Sequence, residues 1–239
     1  MSQYQLDGFA LVVGAAGGIG EEVAYAFVEA GVRGVLVADI NPSALEQVAK
    51  KAQSLATNPS CRCISISVDV TDIKSVENMV AFAEKEFGRI DYCVNAAGID
   101  TSKYIPLDQT DPDDFDRVMD INVKGVFLVI RAVAKLMKSQ DPKILDLGRL
   151  GKRDVGRGSI VNVSSTMAVV AVQNKVSYAT SKHAITGVTR AAVMDYKTVG
   201  IRTNQVCPIW GGSQQFRDQL SPMKLQRLVY IYVARAPLA

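Results

Sequence analysis

The chain has 239 residues, 48% of them hydrophobic and 21% charged, with a formal net charge of +3. That apolar content can fill the core of one large domain and excludes a disordered chain, which would be poor in apolar residues and strongly charged. The small basic excess lies in residues 209–239, so no general attraction to nucleic acid or anionic lipid is expected.

The longest uncharged stretch near the start, Gly8 to Gly20, is rich in glycine and well short of the ~20 apolar residues of a membrane span. No basic segment precedes it, so no signal peptide is expected. Within it, Phe9 to Val13 reads as a short buried strand that ends in glycines. A helix follows from about Gly18 to Ala30, stopped at Gly31. Gly34 to Asp39 is a second buried strand. Asn41 is placed to cap the next helix, with Pro42 in its first turn and an apolar stripe of Ala44, Leu45, Val48, Ala49, Ala52 and Leu55. Cys63 to Asp69 reads as the third strand, and Asp72 to Phe87 as a helix with Ile73, Val76, Val80 and Phe87 inward. Ile90 to Asn95 is the fourth strand, Asp114 to Met137 one long helix, and Ser159 to Ser164 a strand. Val176 to Tyr196 is a helix and Arg202 to Cys207 the last strand.

Two segments break this rhythm. Lys138 to Gly158 has no clear period, with six basic residues against three acidic, and reads as a surface insertion. The other is the tail after Pro208. Otherwise 1–239 reads as a single domain. Cys61, Cys63, Cys93 and Cys207 are too few and too scattered for a disulfide framework or a zinc site. They are expected to be small core residues in a reducing cytoplasm, and no metal is expected.

Six short apolar strands separated by amphipathic helices predict an α/β fold, a doubly wound parallel sheet with helices on both faces. In such sheets ligands lie beyond the carboxyl ends of the strands, so the residues after each strand are the candidates for chemistry.

Gly14, Gly17, Gly18, Ile19 and Gly20 follow the first strand. Glycine permits a sharp turn and close backbone approach to a pyrophosphate, whose charge a helix N-terminus stabilises. A tight turn without ligand is the plain alternative. Asp39, at the end of the second strand, is placed to accept hydrogen bonds from both ribose hydroxyls of an adenosine. The same carboxylate repels a 2′-phosphate, and no Lys or Arg lies between Ala38 and Ala49, so NAD is favoured over NADP. Tyr178 and Lys182 share one helix face at the start of the helix that follows Ser164–Ser165. A phenol is too weakly acidic to serve as a base at neutral pH, but a neighbouring ammonium favours the phenolate. Tyr178 could then exchange a proton with an alcohol while a nicotinamide exchanges the hydride, with Ser165 holding the reacting oxygen. The lone histidine, His183, is expected to point away from this face. Asn162-Val163-Ser164 has the form of a glycosylation acceptor but lies in a core strand.

With these motifs the sequence resembles the short-chain dehydrogenase/reductase family over about Gly8 to Pro208. Val13-Gly14-Ala15-Ala16-Gly17-Gly18-Ile19-Gly20 is similar to its glycine loop, Asp69-Val70 to its adenine-contacting pair, and Asn95-Ala96-Ala97-Gly98 to its Asn-Asn-Ala-Gly segment. Asn122 stands where the family has a catalytic asparagine, and Ser165, Tyr178 and Lys182 match its serine and Tyr-x-x-x-Lys pair. The resemblance implies a Rossmann-like fold and interconversion of a secondary alcohol and a ketone with NAD, NADP being second choice. It implies that Asn122 holds a water in a proton relay from Lys182, and that Lys182 also bonds the nicotinamide ribose. It further implies a homodimer through the helices at 114–137 and 176–196, a small-molecule alcohol or ketone as substrate, and neither nucleic acid nor membrane as partner.

Val13 and Ala96 replace the family's usual threonine and second asparagine. After Pro208 the expected Pro-Gly is Pro208-Ile209-Trp210, with 31 residues remaining and Leu228 to Val233 as one apolar run, so the substrate lid is expected to be shortened or remodelled. That departure leaves two other readings open, a dinucleotide-binding protein with weak or no catalysis and a non-enzymatic scaffold.

Overall fold

The computed structural model describes residues 6–208. The expectations for the tail, including Trp210, the apolar run at 228–233 and the remodelled lid, lie outside the described residues.

Six parallel strands form one sheet: β1 (Phe9–Val13), β2 (Gly34–Asp39), β3 (Arg62–Ser67), β4 (Tyr92–Asn95), β7 (Gly158–Val163) and β8 (Ile201–Val206), in the order β3-β2-β1-β4-β7-β8. The chain starts in the middle, winds outward to β3, then returns past β1 and winds the other way. The order therefore reverses between β1 and β4, and a crevice opens at that switch point. Register brings the strand ends level, with Val13 beside Ala38 and Asn95, and Asn95 beside Asn162.

Helices α1 (Gly18–Glu29) and α2 (Pro42–Leu55) cover one face; α3 (Ile73–Phe87), α5 (Gly125–Ser139) and α6 (Val176–Tyr196) cover the other. The first layer buries Ala24, Val28, Leu45, Val48 and Ala52 against Ala10, Val12, Val35 and Val37. The second buries Met79, Ala83, Val129, Val133 and Ile185 against Leu11, Leu36, Cys93 and Ile160. Alternation along β1 thus feeds two cores, because successive side chains of a strand point to opposite faces. Asn41 caps α2 as its position predicts, its side chain accepting from Ala44 N–H at 3.2 Å. Asp72 caps α3 by accepting from Lys74 and Ser75 N–H.

Four local expectations differ from the structure. Ile73, the first residue of α3, is 47% exposed, whereas Val76, Met79, Val80, Ala83 and Phe87 fill the covered face. The third strand begins at Arg62 and ends at Ser67; as an edge strand it is half-buried along most of its length. The long helix expected at 114–137 is α4 (Pro112–Met119) and α5, joined through a widened π turn at Asp120–Lys124. Part of the irregular segment 138–158 forms a small antiparallel hairpin, β5 (Ile144–Asp146) with β6 (Lys152–Asp154). Its residues are exposed.

The four cysteines are free; Cys61, Cys93 and Cys207 are buried. Among the described residues, no helix is long and apolar enough to cross a membrane, and no cluster of three or more metal-ligating side chains occurs.

Candidate active site

The carboxyl ends of β1, β2, β3 and β4 enclose a cleft of about 290 Å³, lined among others by Gly14, Asp39, Asp69, Val70 and Gly98. The glycines around it divide into two kinds. Gly14, at φ +80°, would place a Cβ 2.2 Å from Ala97 N, and a Cβ at Gly20 would lie 2.0 Å from Gly14 O. These two let the first turn close against the chain after β4. At Gly17 and Gly18 an added Cβ meets open space. Gly17 is also the N-cap of α1 and offers no side-chain hydrogen bond to the helix. The first N–H groups of α1 are therefore open to an anion, where the helix terminus favours negative charge. Ile19 beside them is 40% exposed. An open-sided turn at a bare helix N-terminus, beside a cleft with a carboxylate at its far wall, fits a dinucleotide.

That carboxylate is Asp39. Its oxygens accept from Ala16 N–H at 3.1 Å and Asn41 N–H at 3.2 Å, so it also braces the glycine turn. Asp69 accepts from the Thr71 N–H and hydroxyl at 2.8 and 2.7 Å, which fixes Asp69 and Val70 on the cleft wall. Asn95 faces the interior. Its Nδ2 donates to Asn162 Oδ1 at 2.8 Å, Asn162 donates to Thr189 Oγ1, and Thr189 donates to Ile185 O. This buried chain ties β4 and β7 to α6. Asn162 is fully buried, so the Asn-Val-Ser triplet presents no surface acceptor. Asn95 Oδ1 is buried and lacks a hydrogen-bond partner.

Ser165 ends the turn after β7 and is buried, its hydroxyl accepting from Met167 N–H. Tyr178 is half-buried in the first turn of α6. Lys182, one turn further on, is 5% exposed; its Nζ lies 5.3 Å from the Tyr178 ring centroid and donates to Val163 O at 3.1 Å. Burial lowers the Lys182 ammonium to about 8, against smaller opposing pulls from Cys207 and Asp100. Burial raises the Tyr178 phenol. The Ser165 hydroxyl and Lys175 favour its ionised form, whereas Asp100 and Tyr104 oppose it. The phenol thus stands above its ordinary value, because desolvation outweighs the neighbouring groups that favour the phenolate.

Asn122 sits in the π turn and is fully buried. Its Oδ1 accepts from Ile99 N–H at 2.8 Å; its Nδ2 donates to Ile99 O at 2.9 Å and Ser181 Oγ at 3.0 Å. Both side-chain donors are used, so the side chain serves to fix the strand-end loop against α6. A Cβ at Gly98 would lie 3.2 Å from Asn122 Oδ1 and 3.6 Å from Lys182 Nζ, so the bare glycine lets both groups reach the cleft wall. A single-turn widening of this kind is often found at functional sites. Its sequence signal is a buried polar residue followed by Gly125 inside an apolar helix; added bulk at that glycine would strike Val70 at 2.8 Å.

Sequence reasoning passed over three residues. Asp100 follows the cleft wall, and its Oδ2 lies 2.5 Å from Lys175 Nζ and accepts from the Tyr104 hydroxyl at 3.0 Å. Lys175 precedes α6. His183 does point away, exposed and bonded through Nδ1 to Ala179 O.

The fold is of the doubly wound, Rossmann-like class. Residues 8–219 match the family described as short chain dehydrogenase. A short-chain dehydrogenase of Penicillium roqueforti is 43% identical over 207 residues, covering 86% of this chain and 74% of that protein. Levodione reductase of Leifsonia aquatica is 34% identical over 206 residues, covering 85% of this chain and 70% of that protein. Among solved structures, NAD⁺-bound xylitol dehydrogenase superposes with a TM-score of 0.76 at 30% identity, covering 91% of this chain and 76% of that one. The chain belongs to the short-chain dehydrogenase/reductase family, enzymes that use NAD or NADP.

Proposed function

We propose that the protein interconverts a secondary alcohol and a ketone with NAD(H), Tyr178 serving as the acid/base. The observation that carries this reading is the grouping of Tyr178 with Lys182 Nζ, 5.3 Å from its ring, and with the Ser165 hydroxyl, Lys182 in turn lying 3.6 Å from where a Cβ of Gly98 on the cleft wall would stand. The bound nicotinamide supplies or removes the hydride. Asp39 would hold the adenosine ribose, and the open turn at Gly17 and Gly18, beside Ile19, the pyrophosphate. Gly14 and Gly20 shape that turn, Asp69 and Val70 form the adenine wall, and Asn95 with Gly98 backs the nicotinamide side.

A buried neutral phenol is the form that gives a proton away, which suits ketone reduction at neutral pH. As hydride reaches the carbonyl carbon, the Tyr178 O–H bond breaks and its proton goes to the carbonyl oxygen, which Ser165 holds by hydrogen bonding. The phenolate left behind is stabilised by the Lys182 ammonium nearby. Proton return from solvent resets the residue, and the reverse sequence oxidises the alcohol. Asn122 would hold a water in a proton relay from Lys182, and its side chain fixes Ile99 and Ser181 around the site.

Asp39 supports NAD over NADP, since a carboxylate at the ribose repels a 2′-phosphate. The NAD⁺-bound neighbour is consistent with that choice. A homodimer through α5 and α6 also belongs to the proposal, supported by exposed Phe127 and Met194 on those helices. The test of the reading is Tyr178→Phe, assayed with NADH over a panel of cyclic and open-chain ketones. Turnover should fall by about three orders of magnitude or more, with NADH affinity within about twofold of wild type. Turnover at the wild-type level would remove Tyr178 from the mechanism.

A further inference from the structure

Two ammonium groups approach the Tyr178 ring. Lys182 Nζ lies 5.3 Å from its centroid and Lys175 Nζ 5.4 Å. Lys182 lies one helical turn after Tyr178 on the same face of α6, whereas Lys175, the N-cap residue, reaches the ring from outside the helix. They are not equivalent. Lys182 is pinned to Val163 O within the fold. Lys175 stands before the first turn of α6, 16% exposed, with Asp100 Oδ2 at 2.5 Å and the Tyr104 ring 4.4 Å from its Nζ. Tyr104 closes the group by donating its hydroxyl to Asp100 at 3.0 Å. The pair thus joins the loop after β4 to the start of α6.

An ion pair open to solvent contributes little to stability. Here the ammonium is largely covered, although Asp100 is 36% exposed, and it stands beside the group that must gain and lose a proton. We propose that Lys175, held by Asp100, is a positioning residue for Tyr178, and that the two act on its phenol as opposed charges. The inference rests on Tyr178 being the acid/base. Among the described residues, the groups acting on the phenol are Lys175 from the cap of α6, Asp100 and Tyr104 from the loop after β4, and Ser165 after β7; Lys182 faces the ring at 5.3 Å, and Cys207, after β8, faces Lys182. In this arrangement the Lys175 ammonium, 5.4 Å from the ring centroid, favours the phenolate, and the Asp100 carboxylate paired with it opposes it.

The sign makes the idea testable. If the pair is only a strap between two loops, cutting it from either end has the same effect. If it acts by charge, the two cuts have opposite effects. The chain is labelled with 3-fluorotyrosine and titrated by ¹⁹F NMR without dinucleotide, the Tyr178 resonance being identified by its loss in Tyr178→Phe. Lys175→Met should raise the Tyr178 midpoint and Asp100→Asn should lower it, each by roughly 0.5–1 pH unit. Lys175→Arg, which keeps the cation, should stay near wild type and guards against a packing effect. Shifts in the same direction, no shift, or Lys175→Arg behaving like Lys175→Met overturns the inference. Activity of Tyr178→Phe is a separate readout: turnover at the wild-type level removes the acid/base role itself and leaves the titration interpretable.

Discussion

Asn122 offers the sharpest check on how the site is built. Replacing it with alanine removes three hydrogen bonds, to Ile99 N–H at 2.8 Å, Ile99 O at 2.9 Å and Ser181 Oγ at 3.0 Å, from a fully buried position. At about 1 kcal/mol net per bond, the loss should be about 3 kcal/mol. For a domain of this size that corresponds to a fall in melting temperature of roughly 6–12 °C. Asn122→Ala leaves the bond from Ser181 Oγ to Tyr178 O at 2.8 Å intact, whereas Ser181→Ala removes both that bond and the single link to Asn122 and should cost about 2 kcal/mol. Urea unfolding followed by circular dichroism measures both, with an unchanged slope marking a true stability change. Because Asn122 holds the loop that carries Gly98, NADH affinity should fall with it. A cost for Asn122→Ala no greater than that of Ser181→Ala would refute the tethering role.

Lys182 predicts a pH dependence. Its folded value, about 8, lies below the ordinary 10.5, so between these limits the unfolded chain binds more protons and stability rises with pH. From pH 8 to 9.5 wild type should gain roughly 1.5 kcal/mol relative to Lys182→Met in paired urea titrations; a constant difference would contradict the buried ammonium. Asp39→Ala should shift the NADP-to-NAD affinity ratio about tenfold towards NADP, read by fluorescence titration, and a wild type already preferring NADP would defeat the assignment. The two kinds of glycine should separate cleanly. Gly20→Ala, whose Cβ meets Gly14 O at 2.0 Å, should destabilise the chain by about 1–3 kcal/mol or more. Gly17→Ala should leave the melting temperature nearly unchanged while weakening NADH binding, and equal melting temperatures for the two would show that the turn is not packed in this way.

Local pattern determined most of what is periodic here. Apolar runs of strand length, stripes at helical spacing and a cap such as Asn41 depend on near neighbours, so the alternation of strands and helices was legible before any fold was known. The candidate residues were legible for a related reason: a doubly wound sheet delivers whatever follows its strands to one edge, which is how Gly14, Asp39, Asn95 and Ser165 come to the same end.

Contacts between distant segments were not written in any local period. The widened turn at Asn122 exists because its side chain reaches Ile99, 23 residues earlier, and Ser181, 59 residues later. Asp100 and Lys175, 75 residues apart, meet only once the loop after β4 and the start of α6 are folded together. The protonation of Tyr178 was likewise a tertiary matter. Sequence placed an ammonium one turn away and so suggested an acidic phenol, but only folding fixed how far water is excluded, and that exclusion sets the direction. Residue types and spacing are local, whereas desolvation and long-range partners are properties of the packed molecule.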